Sequence, residues 1–320
     1  MNAPLSHFLD TLVLGEPVAH EGLVMYPLIA SDDRPPDYLT LAKALASGLA
    51  TVREVSEGGV VNTLFVVNHG SVPVLLLDGD ILLGARQNRV VNVSILAPAH
   101  AETSIPVSCV EQGRWSYRAG RHFSASENSF KAASRARKAE RVAGNRRFRG
   151  VADAGQSEVW DYVLESLNLT GTTNIAFTLD MECAYARFDT ALQGVGKAIR
   201  PQASQCGAVF AIEDRLLGAD AFDSAETFAD ALPRLIRGYA IEMFERRAPS
   251  KAVSLEDAKA AARFLAALKA TSLTPCAAVG LGQEVHGVSM EAGVSALVLG
   301  DRVIHLFGYP REKTRSKTPE

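Results

Sequence analysis

Val74-Leu75-Leu76-Leu77-Asp78-Gly79-Asp80, then Val90 to Leu96, then Thr103 to Val110, decide the fold. Each run is apolar and partly β-branched, and Gly, Asn, Asp or Pro closes it within a few residues. Short runs punctuated in this way are strands rather than helices. Toward the N-terminus the series continues through Thr63 to Val67, a Glu57-Gly58-Gly59 turn, Thr51 to Val55, and Val18 to Leu28. One helix interrupts it, over Leu39 to Leu49, with Thr40 as its cap. Residues up to about 122 therefore predict an antiparallel sheet or sandwich.

Beyond that point the period changes. Over Ser126 to Val142, Lys131, Arg135 and Lys138 fall on one helical face, and Ala132, Ala136 and Ala139 on another. Alanine buries little area, so this basic segment, about 123–150, is expected to be weakly anchored, with a loop from Gly144 to Gly150. Three further helical patterns follow. Ser157 caps a helix to Leu167 that turns Trp160, Val163, Leu164 and Leu167 inward. Met181, Tyr185, Phe188 and Leu192 share one stripe. A long helix from Ser224 to Arg246 is expected to kink or break at Pro233. Gly207 to Ile212 and Leu216 to Ala219 read as a hairpin. Ser254-Leu255-Glu256-Asp257 opens a last helix with a capping box. Strands return at Ala277 to Leu281, Val294 to Leu299 and Val303 to Phe307, the last two joined at Gly300-Asp301.

The order β, α, β predicts one α+β domain over 1–310, in which the C-terminal hairpin joins the N-terminal sheet. Residues 311–320 read as a disordered tail. Strands and helices do not alternate, which disfavours a doubly wound Rossmann sheet.

Charge is unevenly placed. The chain carries −3 overall, yet Arg114 to Arg149 holds eleven Lys/Arg against two Glu. Such a run is either a solvated face or a contact for phosphate or nucleic acid. No run of about 18 apolar residues suggests a membrane span. The start of the chain lacks the pattern of a signal peptide, and four scattered cysteines suggest free thiols, so a cytoplasmic setting is expected.

Two polar clusters adjoin the deciding strands: Gly84-Ala85-Arg86-Gln87-Asn88-Arg89 and Ile105-Pro106-Val107-Ser108-Cys109-Val110-Glu111-Gln112-Gly113-Arg114-Trp115. Polar groups beside a core must be hydrogen-bonded or they destabilise it. Arg86, Arg89 and Arg114 offer planar forks for phosphate, and Gln87 and Asn88 offer the paired donor and acceptor that read a ribose or base. Glu111 is either a general base or the partner of Arg114 in a turn-fixing ion pair. Cys109 is either a nucleophile or a small buried hydrophobe. Trp115 either stacks on a ligand ring or anchors the core. Asp78 and Asp80 can pair with Glu111, bind a hard cation, or stay solvated in a turn, which suits Asp80 best. The seven histidines form no metal motif, and neither a P-loop, a Rossmann glycine fingerprint nor a Gly-x-Ser-x-Gly elbow is present. The cofactor, any metal requirement and the oligomeric state are left open.

The strings Leu-Leu-Leu-Asp-Gly-Asp, Gly-Ala-Arg-Gln-Asn-Arg and Ile-Pro-Val-Ser-Cys-Val-Glu-Gln-Gly-Arg-Trp resemble the ARG and rhodanese-phosphatase superfamily-associated protein domain, where ARG denotes ADP-ribosylglycohydrolase. Gln205 to Ile212, Gly238-Tyr239-Ala240, Val279-Gly280-Leu281-Gly282 and His305-Leu306 follow in the order the resemblance implies, so it covers about Leu14 to Tyr309. It implies a role in NAD-linked or nucleotide metabolism and favours Gln87, Asn88, Arg89, Cys109, Glu111, Arg114, Trp115 and Gln205 as site residues. Cys206 stands where an aliphatic residue is expected, and Glu284-Val285-His286 where an acidic residue should precede a basic one. The leading expectation is a protein that binds and processes an ADP-ribose-like or other nucleotide-derived phosphate ligand, by carboxylate-assisted hydrolysis if it is an enzyme. Two alternatives stand beside it: a non-catalytic nucleotide sensor, and a nucleic-acid-binding protein that uses Arg114 to Arg149.

Overall fold

The computed structural model describes residues 3–31, 33–173, 179–245 and 255–311. Residues 312–320 of the expected tail and the Ser254 capping residue lie outside these, whereas Arg311 is placed, its N–H on the Glu291 carbonyl at 2.9 Å. The α+β expectation holds, with two large antiparallel β units instead of one sheet or sandwich, and two small sheets beside them: Ile95–Ala97, Val74–Leu76 and Leu39–Thr40, the last pair parallel, and Glu111–Gln112 with Leu179–Asp180. Six strands close into a barrel: Ala50–Glu54, Thr63–Asn68, Asp80–Ala85, Arg89–Val91, Ala101–Cys109 and Arg118–Ser129. Leu64, Val66, Ile105 and Val107 are fully buried within it. Alternation along Ala50–Glu54 and Thr63–Asn68 is that of strands with one face inside.

The second unit is a nine-stranded open sheet drawn from both ends of the chain. From one edge it runs Leu12–Leu14, Leu23–Ala30, Gln205–Ile212, Arg215–Phe222, Arg302–Pro310, Ala292–Leu299, Gln283–Val288 and Thr274–Ala277, with Val18–His20 paired to Leu23–Ala30. The C-terminal hairpin thus joins N-terminal strands, as expected, through Arg215–Phe222 and Gln205–Ile212. The hairpin turns at Gly300, whose φ of 64° is left-handed.

Eight helices are present among the described residues: α1 (Ala3–Thr11), α2 (Leu41–Ala46), α3 (Ala132–Arg149), α4 (Gln156–Leu169), α5 (Met181–Arg187), α6 (Asp189–Ala198), α7 (Ala225–Glu245) and α8 (Leu255–Ala270). Alternation along Gln205–Ile212 sends Ala208 and Phe210 toward α7 and the barrel, and Val209 and Ala211 toward α1 and α8. Thr40 caps α2 as the sequence predicts, its hydroxyl accepting from the Lys43 N–H at 3.4 Å. None of these helices is long and apolar enough to cross a membrane.

Several local expectations are corrected. Ser126 to Ser129 belongs to a barrel strand, and the helix begins only at Ala132. That helix continues through the expected loop to Arg149 and stops at Gly150, whose left-handed φ of 71° places its N–H on the Arg146 carbonyl at 3.1 Å. Glu284 holds Arg146 at 2.6 and 3.1 Å and steadies this last turn. In α4, Gly155 occupies the cap position and Val159 is buried, whereas Leu164 is exposed. The Met181 to Leu192 stripe is two helices that meet at Phe188. Helix α7 runs unbroken past Pro233, held by its apolar face; Tyr239 stacks on Phe210 with ring centroids 4.1 Å apart. The strand expected over Ala277 to Leu281 lies at Thr274–Ala277, because Gly280 lies against the Leu96 carbonyl and Leu281 N–H bonds to it at 2.8 Å.

Candidate functional site

The two polar clusters meet. Gly84 makes this possible: at φ +125° its strand approaches its neighbour so closely that a Cβ would lie 2.8 Å from the His122 carbonyl oxygen. Pairing of Arg89 with Cys109 then sets the clusters side by side. The short strand Glu111–Gln112 pairs with Leu179–Asp180, putting Glu111 opposite Asp180.

Most of the expected site groups are engaged with one another. Arg114 donates to both oxygens of Glu111, at 2.7 and 2.5 Å, and to the Ala85 and Ser116 carbonyls at 2.8 Å. Asn88 N–H donates to Glu111 at 3.2 Å, and its amide donates to Asp180 at 3.0 Å. Gln87 is buried, its carbonyl accepting from Arg89 at 2.8 Å. Arg89 is fully buried 3.8 Å from Glu54, under the face of half-exposed Trp115, which Arg86 also approaches. Cys109 has no exposed surface, and burial pushes its thiol up to about 11, which leaves little thiolate at neutral pH. Gln205 stands apart, bonded to Gln202, Gly207 and Met25 in the open sheet.

Asp78 and Asp80 do not pair with Glu111. Asp80, expected in solvent, is buried and accepts from Arg234 at 3.0 Å. Asp78 belongs to an ionic core between barrel and sheet. Lys138 bonds to Asp78 there, and Arg135 holds Asp220 by two bonds of 3.0 and 2.7 Å. Lys131 meets Glu245 at 2.9 Å. The basic face of α3, expected to be mobile and outward, is therefore turned inward and anchored. Its carboxylate partners lie far away in sequence, which is why no local pattern revealed them. Burial works against the Asp220 anion, but Arg135 and His305 outweigh it and hold the carboxyl well below the usual range. Ser94, His305 and Asp220 are hydrogen-bonded in the order of a nucleophile–base–acid triad, at 2.7 and 3.0 Å. All three are buried, however, and the Ser94 hydroxyl already accepts from the Asp78 N–H at 3.0 Å.

A cleft of about 1040 Å³ opens elsewhere, between α2, the barrel strands Ala50–Glu54 and Arg118–Ser129, α6 and α7. Leu45, Ala46, Phe123, Leu192 and Pro233 give it an apolar wall. Lys197, Arg200, Arg234, Arg237 and His122 line it together with Glu127 and Asp230. Asp230 is already bonded to Thr40 and stands 3.8 Å from Lys43. Arg234 binds Asp80 through Nε, while its Nη2 is buried with no hydrogen-bond partner. Arg237 donates to Asn128 at 2.6 Å and to Asp189 at 2.7 Å. Lys197 and Arg200 are exposed at the rim. The cleft thus carries an excess of cationic groups.

One hydrogen-bonded chain joins the two regions. From Arg114 and Glu111 it passes through Asn88 to Asp180, which caps α5 by accepting from the Glu182 N–H at 3.1 Å. Glu182 accepts from Ser126 and Asn128, both at 2.9 Å, and Asn128 accepts from Arg237 at the cleft. Burial, with Glu111 adding to it, raises Asp180 to about 6. Burial raises Glu182 to about 7, against the hydrogen bond from Ser126. Ser126, Asn128, Asp180, Glu182, Arg234 and Arg237 all escaped the sequence reading. Only Asp180, an N-cap type two residues before an acidic residue, left a local signal.

Among the described residues no group of three or more His, Cys, Asp or Glu is placed to hold a metal ion. A search of curated proteins and one of solved structures find no match to this chain. The family model of the ARG and Rhodanese-Phosphatase-superfamily-associated Protein domain matches residues 11–309. That match takes in the barrel, the open sheet and the cleft alike, and the chain belongs to this family.

Proposed function

We propose that this protein binds a small nucleotide-derived ligand bearing phosphate, of the ADP-ribose kind, in the cleft between the barrel and helices α6 and α7. The observation that carries this reading is Arg234. A buried guanidinium N–H without an acceptor costs stability unless a ligand or water supplies one, and Arg234 lines the same cleft as the exposed cations Lys197 and Arg200. A phosphate oxygen is the acceptor that suits such a set. The apolar wall of Leu45, Phe123 and Pro233 offers a base or ribose face a surface to lie on, and the volume is that of small-molecule sites in general. The family name, which joins ADP-ribosylglycohydrolase to phosphatases, supports the same ligand class.

The test is thermal stability of the full chain with ADP-ribose, NAD and ADP, repeated with Lys197→Ala/Arg200→Ala. Selective binding to the folded state must raise the melting temperature. A rise that the double variant loses supports the reading. No rise with any of the three, or a rise the variant keeps, overturns it.

A further inference from the structure

We infer that Glu182 is the acid–base residue of this cleft, acting through Ser126 to hydrolyse a phosphoric anhydride. The inference rests on the binding reading above and adds the chemistry of the site. Its ground is the way the hydrogen bonds run. Ser126 lines the cleft; its hydroxyl donates to Glu182 at 2.9 Å and accepts from the Asn128 N–H at 3.0 Å. That backbone bond fixes the hydroxyl with its proton toward the carboxylate, so a second donor arriving from the cleft completes a relay. Asn128 bridges Glu182 and Arg237, and Arg234 and Arg237 lie one turn apart on α7, on one face. A phosphate held by those guanidinia is therefore adjacent to Ser126, which places phosphorus, rather than a remote part of the ligand, at the relay.

Glu111, the carboxylate favoured by sequence, is unsuited to the task. Both its oxygens are held by Arg114, and the residue has no exposed surface. Glu182 is only half-buried, and its charged neighbours are balanced: Asp180 just before α5 opposes its ionisation, and Arg237 from α7 favours it. Ser126 and Asn128 from the barrel strand supply neutral donors, and Tyr185 faces it from its own helix. Burial, which these neighbours leave largely uncancelled, puts its titration near neutrality, where a residue can both take and return a proton.

A water in the cleft gives a proton to Ser126 Oγ as Ser126 passes its own to Glu182. The water oxygen forms a bond to phosphorus, the bridging P–O bond breaks, and the leaving phosphate departs with the electron pair. Glu182 then returns the proton to that phosphate through Ser126. One water is consumed, and ADP-ribose yields AMP and ribose 5-phosphate.

The experiment incubates the full chain with ADP-ribose and follows AMP by mass spectrometry, with melting shifts recorded in parallel. Wild-type turnover is expected to rise with pH through about 7. Glu182→Gln should keep the melting shift and lose about 100-fold or more in turnover, as expected for removal of a general base. Ser126→Ala should behave alike and serves if Glu182→Gln fails to fold. Glu182→Asp should restore part of the rate with a displaced pH limb, which a merely structural role would not produce. Binding without AMP from the wild type, or turnover and pH profile unchanged in Glu182→Gln or Ser126→Ala, overturns this inference and leaves the binding reading intact. Absence of binding in the wild type removes both.

Discussion

The ionic core behind α3 and the network beneath the cleft contain the same residue types, and they differ in closure. In the core, Arg135 and Lys138 face Asp78 and Asp220, and Tyr239 and His305 complete the bonding of Asp220. Charge is balanced and every member is buried. At the cleft, arginines again meet carboxylates and asparagine, but Arg234 keeps an unpartnered N–H, two rim cations stand in solvent, and two carboxyls are held near neutrality. A closed charge set serves the fold, because its Coulomb energy can offset desolvation only when partners are complete. An open set is destabilising by itself and makes sense when a ligand closes it. The contrast also shows how little a basic run says on its own: Lys131, Arg135 and Lys138, which look free in sequence, are bound, whereas Arg234 on α7 and Arg86 and Arg89 at the barrel keep N–H groups without an acceptor.

The largest test of this contrast is Asp220→Asn. It leaves Arg135 without its bidentate partner in a dry site and should cost about 3–5 kcal/mol in urea unfolding. Because the Asp220 pKa is depressed in the folded state, its contribution is complete above the ordinary carboxylate range and fades as the pH falls below that range. Acid titration of the wild type should show this loss, and the variant should lack it. An Asp220→Asn protein as stable as wild type would mean that the core is not closed in the sense argued here.

A smaller effect, and of another kind, is expected at the cleft. Lys197→Ala should change stability by no more than about 0.5 kcal/mol. The same substitution should weaken ADP-ribose binding about tenfold, roughly 1.4 kcal/mol. Urea unfolding would read the first and calorimetric titration the second, and a variant that loses stability without losing affinity would contradict the distinction.

The carboxyls of Asp180 and Glu182 give a third test. Their pKa values are raised in the folded state, so the folded protein holds more protons than the unfolded chain between about pH 4 and 7. Stability contributed by these groups is then fullest below pH 4 and falls as the pH rises through 6 and 7. Glu182→Gln should remove about 1–2 kcal/mol of that decline and be the more stable protein at pH 8. An identical pH dependence in the two proteins would contradict the environment described for Glu182. Least in effect, iodoacetamide applied to the native protein at pH 7.5 should label Cys183 or Cys276, which retain some exposure, before Cys109 or Cys206. Early labelling of Cys109 in a peptide map would reopen it as a nucleophile.

Much of the fold was legible because local chemistry dictated it. Thr40 caps, Gly300 turns, and the period-two runs around Leu64 and Val107 are strands wherever they occur. The barrel was not, since closure of Arg118–Ser129 onto Asp80–Ala85 is a long-range pairing that leaves no periodic trace. At the site, sequence singled out Asn88, Glu111 and Arg114 but left open whether their two clusters meet, which the structure shows they do. It could not tell that they satisfy one another, because the partner that extends them, Asp180, lies 92 residues from Asn88. The cleft residues were silent for a related reason: Arg234 and Arg237 look like any cationic helix face until the strand carrying Ser126 and Asn128 is laid against them.

The two β units also have different histories. All six barrel strands lie between Ala50 and Ser129, about one quarter of the chain, and all their pairings are antiparallel. The open sheet sets Leu23–Ala30 beside Gln205–Ile212 and closes on Arg302–Pro310. A chain leaving the ribosome can therefore complete its barrel early, while Leu23–Ala30, paired with Leu12–Leu14 and Val18–His20, waits for Gln205–Ile212 to emerge. During that interval the exposed edge of Leu23–Ala30 is a hazard for misassociation. Pulse-labelled exchange during refolding should find barrel amides protected before those of Leu23–Ala30, and the reverse order would refute this sequence of events.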